Sequence, residues 1–318
     1  MNKLTIVVAI YNVEDYIEKC IETLLNQDYD NYKILLINDG STDKSEELCL
    51  KYQKEYPEKI EVYTKENGGL SSARNYGIEK ANSEYIFFVD GDDYIEVNCL
   101  SKIMKKVSNN DILVFNYLNI FDDKTILYNT FNETINDSKK RFLEGSPSAC
   151  NKVFKLELFK KNNIKFPDKL YYEDLATTPL VSQYAKKIVY DVNPYYCYLQ
   201  RAGSIMHQKK YNKKLEDIFT VFDIIDKELN DEFKKQYEEE IEYLYIWHLL
   251  RNASLRFLEF DKYDMLEKIN NIIKEKFPKW YKNPYFKKYD IKRKAMCYLI
   301  MYKHYKIIKK IRSKGSDK

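Results

Sequence analysis

The sequence predicts an α/β fold: a mixed, mainly parallel sheet flanked by helices, followed by a smaller all-helical C-terminal domain. Three observations point to it. Short β-branched or apolar runs alternate with helical patterns through the first ~115 residues. Those runs are almost continuously apolar, as in strands covered on both faces by helices. From about Tyr211 the pattern is helical to the end, rich in Lys, Glu, Ile, Leu and Tyr, with no glycine before Gly315.

Taken in order, the strand signals fall at Leu4–Ile10, Lys33–Asn38, Ile60–Thr64, Tyr85–Val89 and Asp111–Phe115, each bounded by polar or Gly-containing turns. Between the first two, Ile17, Ile21, Leu24 and Leu25 recur at helical spacing. Ser41–Tyr56 reads as a second helix, because Ser41-Thr42-Asp43 supplies N-capping chemistry. Residues ~116–205 are less periodic and are punctuated by Pro147, Pro167, Pro179 and Pro194. Two domains are expected, 1–206 and 207–318, in keeping with a length of 318 residues at ~150 per domain.

Composition narrows the class. With 44% hydrophobic residues the chain can bury a core, which excludes global disorder. No apolar run approaches the ~20 residues of a membrane span. Met1–Asn12 lacks the order of regions in a signal peptide, so a cytoplasmic location is expected. The six cysteines are scattered without a Cys-x-x-Cys pair, which argues against a zinc ribbon or a disulfide framework. The net charge of +4 hides a split: Lys287–Lys318 holds 12 Lys+Arg against 2 Asp+Glu, leaving a mildly acidic body. From Ile291 to Ile311 apolar and basic residues recur as in a basic amphipathic helix. Such a helix can lie on an anionic inner leaflet, or simply present a solvated basic face. Nucleic acid is not taken as a partner.

Glycine marks where the chemistry should be. Five of the eight glycines, Gly40, Gly68, Gly69, Gly77 and Gly91, fall between residues 40 and 91, near strand ends or in the connections after them. Ligands bind at the carboxyl ends of strands in such sheets. Asp90, Asp92 and Asp93 crowd one strand end and repel one another unless a cation binds there. A hard cation such as Mg²⁺ or Mn²⁺, held by one or two carboxylates and substrate phosphates, fits; so does an acidic turn capping the next helix. Asn67-Gly68-Gly69 runs into a helix start that offers backbone N–H groups, with Arg74 as a fixed cation for a phosphate or a base. Neither Gly-x-Gly-x-x-Gly after the first strand nor Gly-x4-Gly-Lys-Ser/Thr is present, which disfavours a dinucleotide-binding Rossmann domain and a P-loop.

Four motifs in this order and spacing resemble the family 2 glycosyltransferases of the GT-A fold. They are Val8-Ala9-Ile10-Tyr11-Asn12, Asn38-Asp39-Gly40-Ser41-Thr42-Asp43, Asn67-Gly68-Gly69 through Ala73-Arg74-Asn75-Tyr76-Gly77, and Asp90-Gly91-Asp92-Asp93. The resemblance continues more loosely through Asn151–Phe154, Tyr172–Leu175 and Tyr196–Ser204. It implies an inverting, metal-dependent transfer from a nucleotide-sugar, a UDP-sugar, to a glycan acceptor, lipid-linked or protein-linked, in bacterial surface-glycan synthesis. Ala9 and Tyr11 then line the base pocket, Asp39 accepts from the uracil ring and Arg74 braces the nucleotide. Asp92 is the metal ligand and Asp90 its partner beside the ribose. Asp174 is the catalytic base, with Glu173 orienting it or contacting the acceptor. Lys152 and Arg201 meet phosphates, while Ser204 and His207 belong to a loop over the donor, His207 reaching metal or diphosphate. The alternatives are transfer onto a glycan of a protein adhesin and a non-catalytic scaffold that binds a nucleotide diphosphate. A homodimer is left open.

Overall fold

Apolar strands build the first of two units, Met1–His207, and helices the second, Gln208–Lys318; the computed structural model describes residues 2–201 and 210–315. In the first unit β1 (Asn2–Ile10), β2 (Tyr32–Asn38), β3 (Ile60–Thr64) and β4 (Ser83–Asp90) alternate with α1 (Ile17–Leu25), α2 (Ser45–Glu55) and α3 (Leu70–Lys80). These four strands are parallel. There follow β5 (Tyr94–Ile95), α4 (Leu100–Val107), β6 (Ile112–Ile120), β7 (Thr125–Tyr128), α5 (Ser138–Glu144), β8 (Lys152–Lys155), α6 (Glu157–Lys160), α7 (Glu173–Tyr184) and β9 (Ile188–Leu199). The sheet runs β3-β2-β1-β4-β8-β6-β9-β5, with β7 beside β6. It is mixed, because β8 inserts antiparallel between β4 and β6.

The two faces of β1 explain its apolar run. Leu4, Ile6, Val8 and Ile10 join the core with Ile17, Ile21 and Leu24 of α1, Cys49 of α2 and Ile103 of α4. On the other face α3 approaches so closely that a Cβ on Gly77 would lie 2.2 Å from Val7 Cγ1. Alternating directions along a pleated strand bury both sets.

One local expectation is revised, and one strand accommodates a proline. The second helix starts at Ser45 and not at Ser41. Ser41, Thr42 and Asp43 instead hold the loop after β1: Ser41 Oγ accepts from Asn12 N–H, Thr42 N–H donates to Asn12 Oδ1, and Asp43 Oδ2 accepts from Glu14 N–H. β9 spans 12 residues through Pro194, which cannot donate to a ladder. The register shifts at Asn116, opposite Pro194, and Asn116 Nδ2 donates to Val192 O across the irregularity.

In the second unit, helices Asp217–Glu228 and Asp231–Gln236 are followed by one long helical run in which Tyr245–Ala253 is π-helical. Phe222, Leu249, Leu250, Phe257, Ile269 and Ile273 form its core. The tail expected as one amphipathic helix is two, Ile291–Met301 and Tyr305–Gly315, broken where Lys303 takes φ 60°. Its apolar residues divide: Cys297, Ile300, Met301 and Ile308 are buried, whereas Ile291, Tyr302, Ile307 and Ile311 are exposed. Among the described residues no helix is long and apolar enough to cross a membrane.

Candidate active site

The carboxyl ends of β1, β2 and β4 bring the motif residues together. Ala9, at the end of β1, is nearly buried and its carbonyl accepts from Gly91 N–H at 2.9 Å, tying the first strand end to the fourth. Tyr11 follows on the exposed loop, 50% accessible.

Asp39 after β2 is buried, and its two oxygens accept from Lys65 Nζ (2.6 Å), Gly68 N–H (3.0 and 3.1 Å) and Gly69 N–H (2.6 Å). A carboxylate offers about four lone-pair sites. Three donors from within the chain thus occupy most of its acceptor sites, and Asp39 anchors the Gly68-Gly69 turn. Gly69 sits at φ 88°, a conformation that disfavours a side chain.

The three acids at the end of β4 take three different partners. Asp90 Oδ1 accepts from Arg74 Nη2 at 2.9 Å. Asp92 Oδ2 accepts from Arg201 Nε and Nη2 at 2.8 and 2.6 Å, and the Arg201 guanidinium lies 5.1 Å from the Tyr16 ring centre. Asp93, which the motif offers as a third site acid, turns inward: Oδ2 accepts from Tyr196 O–H at 2.6 Å and Oδ1 from Leu199 N–H at 2.8 Å. Burial, then Asp92 and Asp90, push its carboxyl well up. Asp93 and Tyr196 were missed as a structural pair; only the run of acids hinted that one of them needed a partner inside.

Arg74 projects from α3 and is 2% exposed. Besides Asp90 it meets Asp174 Oδ1 through Nη1 at 2.8 Å and Glu173 Oε1 at 3.3 Å. Its guanidinium therefore does not reach out as a nucleotide brace. Burial alone would lower its pKa, but Asp174, Asp90 and Glu173 hold it well above the usual value. Glu173 and Asp174 open α7 behind Tyr172 in the left-handed region at φ 64°. Asp174 Oδ2 also accepts from Ala149 N–H at 2.9 Å. Burial and then Asp174 push the Glu173 carboxyl up, while Arg74 pulls it down.

Lys152 corrects a sequence expectation. Its side chain is buried, and Nζ donates to Ser146 O (2.7 Å), Ser148 O (2.6 Å) and Asn151 Oδ1 (2.8 Å). Burial pulls the amine down to about 7. It is an internal tether for the 146–151 loop, not a phosphate ligand. Ser204 and His207 lie outside the described residues.

Asp92 and Asp90 are the candidate carboxylates for a cation. Burial and then the neighbouring Asp90 raise the Asp92 carboxyl, while Arg201 lowers it, and each of the two acids has an arginine partner, Arg74 for Asp90 and Arg201 for Asp92. Among the described residues no group of three or more His, Cys, Asp or Glu could hold a metal alone. The arrangement suits a hard ion that takes one or two carboxylates and completes its shell with substrate oxygens.

Comparison with known proteins gives the family. Residues 5–162 match the model of glycosyl transferase family 2. The glycosyltransferase GlyG of Streptococcus pneumoniae is 32% identical over 237 residues, 69% of this chain and 78% of GlyG. The glycosyltransferase GlyA of the same organism is 32% identical over 221 residues, 64% of this chain, which spans 31% of GlyA. Among solved structures, S. aureus TarS 1-349 in complex with UDP-GlcNAc superposes with a TM-score of 0.67 at 22% identity, over 86% of this chain and 81% of that one. That likeness is one of fold.

Proposed function

The chain belongs to glycosyl transferase family 2, and from that premise we propose that it moves a sugar from a UDP-sugar to a hydroxyl of a glycan acceptor, inverting the anomeric carbon, in bacterial surface-glycan synthesis. The observation that carries the reading is the convergence of Asp90, Glu173 and Asp174 on Arg74, with Asp92 two residues along from Asp90. Asp174 has one hydrogen bond on each oxygen, which leaves lone pairs to take the acceptor proton as the hydroxyl attacks. Glu173 keeps the pair aligned through the shared guanidinium. Asp92, with Asp90 beside it, would hold Mn²⁺ or Mg²⁺, which when bound supplies Lewis-acid stabilisation of the charge on the leaving diphosphate. Arg201, paired with Asp92 in the structure, would turn to that diphosphate. Ala9, Tyr11 and the Gly68-Gly69 turn shape the base pocket.

Calorimetry with UDP, with and without Mn²⁺, followed by donor hydrolysis and transfer assays, tests these roles. Asp92→Ala is expected to lose metal-dependent UDP binding, and Asp174→Asn to keep binding but lose transfer. Intact transfer by Asp174→Asn would remove the base assignment. Attachment to an anionic membrane is the secondary proposal, supported by exposed Ile291, Tyr302, Ile307 and Ile311 in a basic tail. Equal sedimentation with anionic liposomes of the full chain and a chain ending at Phe286 would refute it.

A further inference from the structure

Arg74 joins parts of the chain that sequence keeps far apart. Asp90 lies 16 residues away and Asp174 lies 100. A guanidinium is planar with donors in fixed directions, so the carboxylates it binds acquire a set mutual geometry. Nη2 holds Asp90 at 2.9 Å; Nη1 holds Asp174 at 2.8 Å and Glu173 at 3.3 Å. The group itself is boxed in. The Phe166 ring centre lies 5.3 Å from its carbon, and Asn75, the next residue on α3, binds both the N–H and the C=O of Phe166. Nε is buried with no hydrogen-bond partner among the described residues.

This is a poor design for stability alone. One carboxylate would neutralise the cation, whereas three leave excess negative charge in a partly buried place, and buried ion pairs seldom repay their desolvation. The arrangement makes sense if those carboxylates must stand close together in fixed directions. We propose that Arg74 is a positioning residue for transfer, registering Asp90 at the donor end against Glu173 and Asp174 at the acceptor end without binding nucleotide itself. The proposal rests on the glycosyltransferase reading of the same site. A lysine could not replace it, because a single ammonium is a point charge that cannot span both ends.

The test uses the full chain with Arg74→Lys and Arg74→Ala, read by circular dichroism, UDP–Mn²⁺ affinity and steady-state kinetics on the nucleotide-sugar that the wild type turns over. Arg74→Lys is expected to fold and keep UDP affinity within about threefold while kcat falls on the order of 100-fold, the scale of a misplacement of about 1 Å. Arg74→Ala should lose at least as much and regain about tenfold in millimolar ethylguanidinium but not in ethylammonium, since only the former restores the planar fork. A wild type that turns over no nucleotide-sugar overturns both this proposal and the reading beneath it. With an active wild type, any of four results overturns the positioning role alone: kcat of Arg74→Lys within about threefold of wild type, a UDP affinity loss that matches the kcat loss, rescue of a folded Arg74→Ala by neither cation or by both equally, or failure of both variants to fold.

Discussion

Replacing Gly77 with alanine sets helix propensity against a collision. In a helix interior alanine is favoured over glycine by about 1 kcal/mol. Against this, the new Cβ would stand 2.2 Å from Val7 Cγ1 and 2.8 Å from Cγ2. Carbon atoms rest at about 3.5 Å or more, so roughly 1.3 Å must be found. Val7 is fully buried on β1 and, being β-branched, has few rotamers to escape into. The displacement therefore falls on α3. Overpacking of this kind costs ~1–3 kcal/mol and here lies at the upper end, which leaves a net destabilisation of about 1–2 kcal/mol. For a unit of about 200 residues that lowers the thermal midpoint by roughly 2–8 °C. Arg74 sits three residues earlier on the same helix, so the shift also displaces its guanidinium, and donor turnover should fall by roughly 10- to 100-fold. Urea and thermal denaturation followed by circular dichroism, with donor hydrolysis alongside, measure both effects. Val7→Ala should relieve the collision, making the double variant at least about 1 kcal/mol more stable than the sum of the singles predicts. An unchanged or raised midpoint in Gly77→Ala, or strict additivity in the cycle, would refute the close-approach argument.

Lys152→Met tests the internal amine through pH. Folding lowers its pKa to about 7, so the unfolded chain binds a proton the folded one lacks between that value and the ordinary lysine value of about 10.4. The penalty is full below pH 7 and fades as pH rises, so wild type gains stability relative to Lys152→Met between pH 7 and about pH 10 in paired urea denaturations; a constant difference would contradict this. Tyr196→Phe removes the donor to Asp93 Oδ2 and the acceptor for Asp90 N–H, and should destabilise by ~1–3 kcal/mol in chemical denaturation. A loss below ~0.5 kcal/mol would mean that Asp93 finds another partner.

The legible part of the fold is the part buried on both faces. β1, β2 and β4 announce themselves because helices cover each side and most of their residues are apolar, whereas β3, an edge strand with only Ile60 buried, is marked by its short apolar run. The elements that escaped have other reasons to be strands. β5 has two residues, all four residues of β7 are exposed, β8 carries a lysine into the interior, and β9 accommodates a proline through a register shift. For the site, the glycines and acids were readable as positions but not as partners. Nothing local distinguishes Lys152, tethered inside, from a lysine facing phosphate, because that depends on carbonyls the fold brings to it. Likewise Asp39 read as a ligand-facing acid, and nothing local showed that a turn about 30 residues on donates to its oxygens.

The acids at the end of β4 also show how neighbouring charges acquire unlike tasks. Asp93 is turned into the protein and raised by burial, where Tyr196 and the Leu199 N–H support it, so it behaves as a strut between β4 and β9. Asp90 meets a guanidinium that is itself 2% exposed and shared with two further carboxylates. Opening that pair would strand buried charge, which is strongly unfavourable. The Asp92–Arg201 pair is different: its side chains are 23% and 32% exposed, so Arg201 is much less buried than Arg74, and part of any charge left by opening the pair meets water. On the proposed reading, it is the pair that opens more easily when a diphosphate and its cation compete for the two partners. Of the two arginines at the site, Arg201 is then the one whose charge can move to the substrate, and Arg74 the one whose charge must stay.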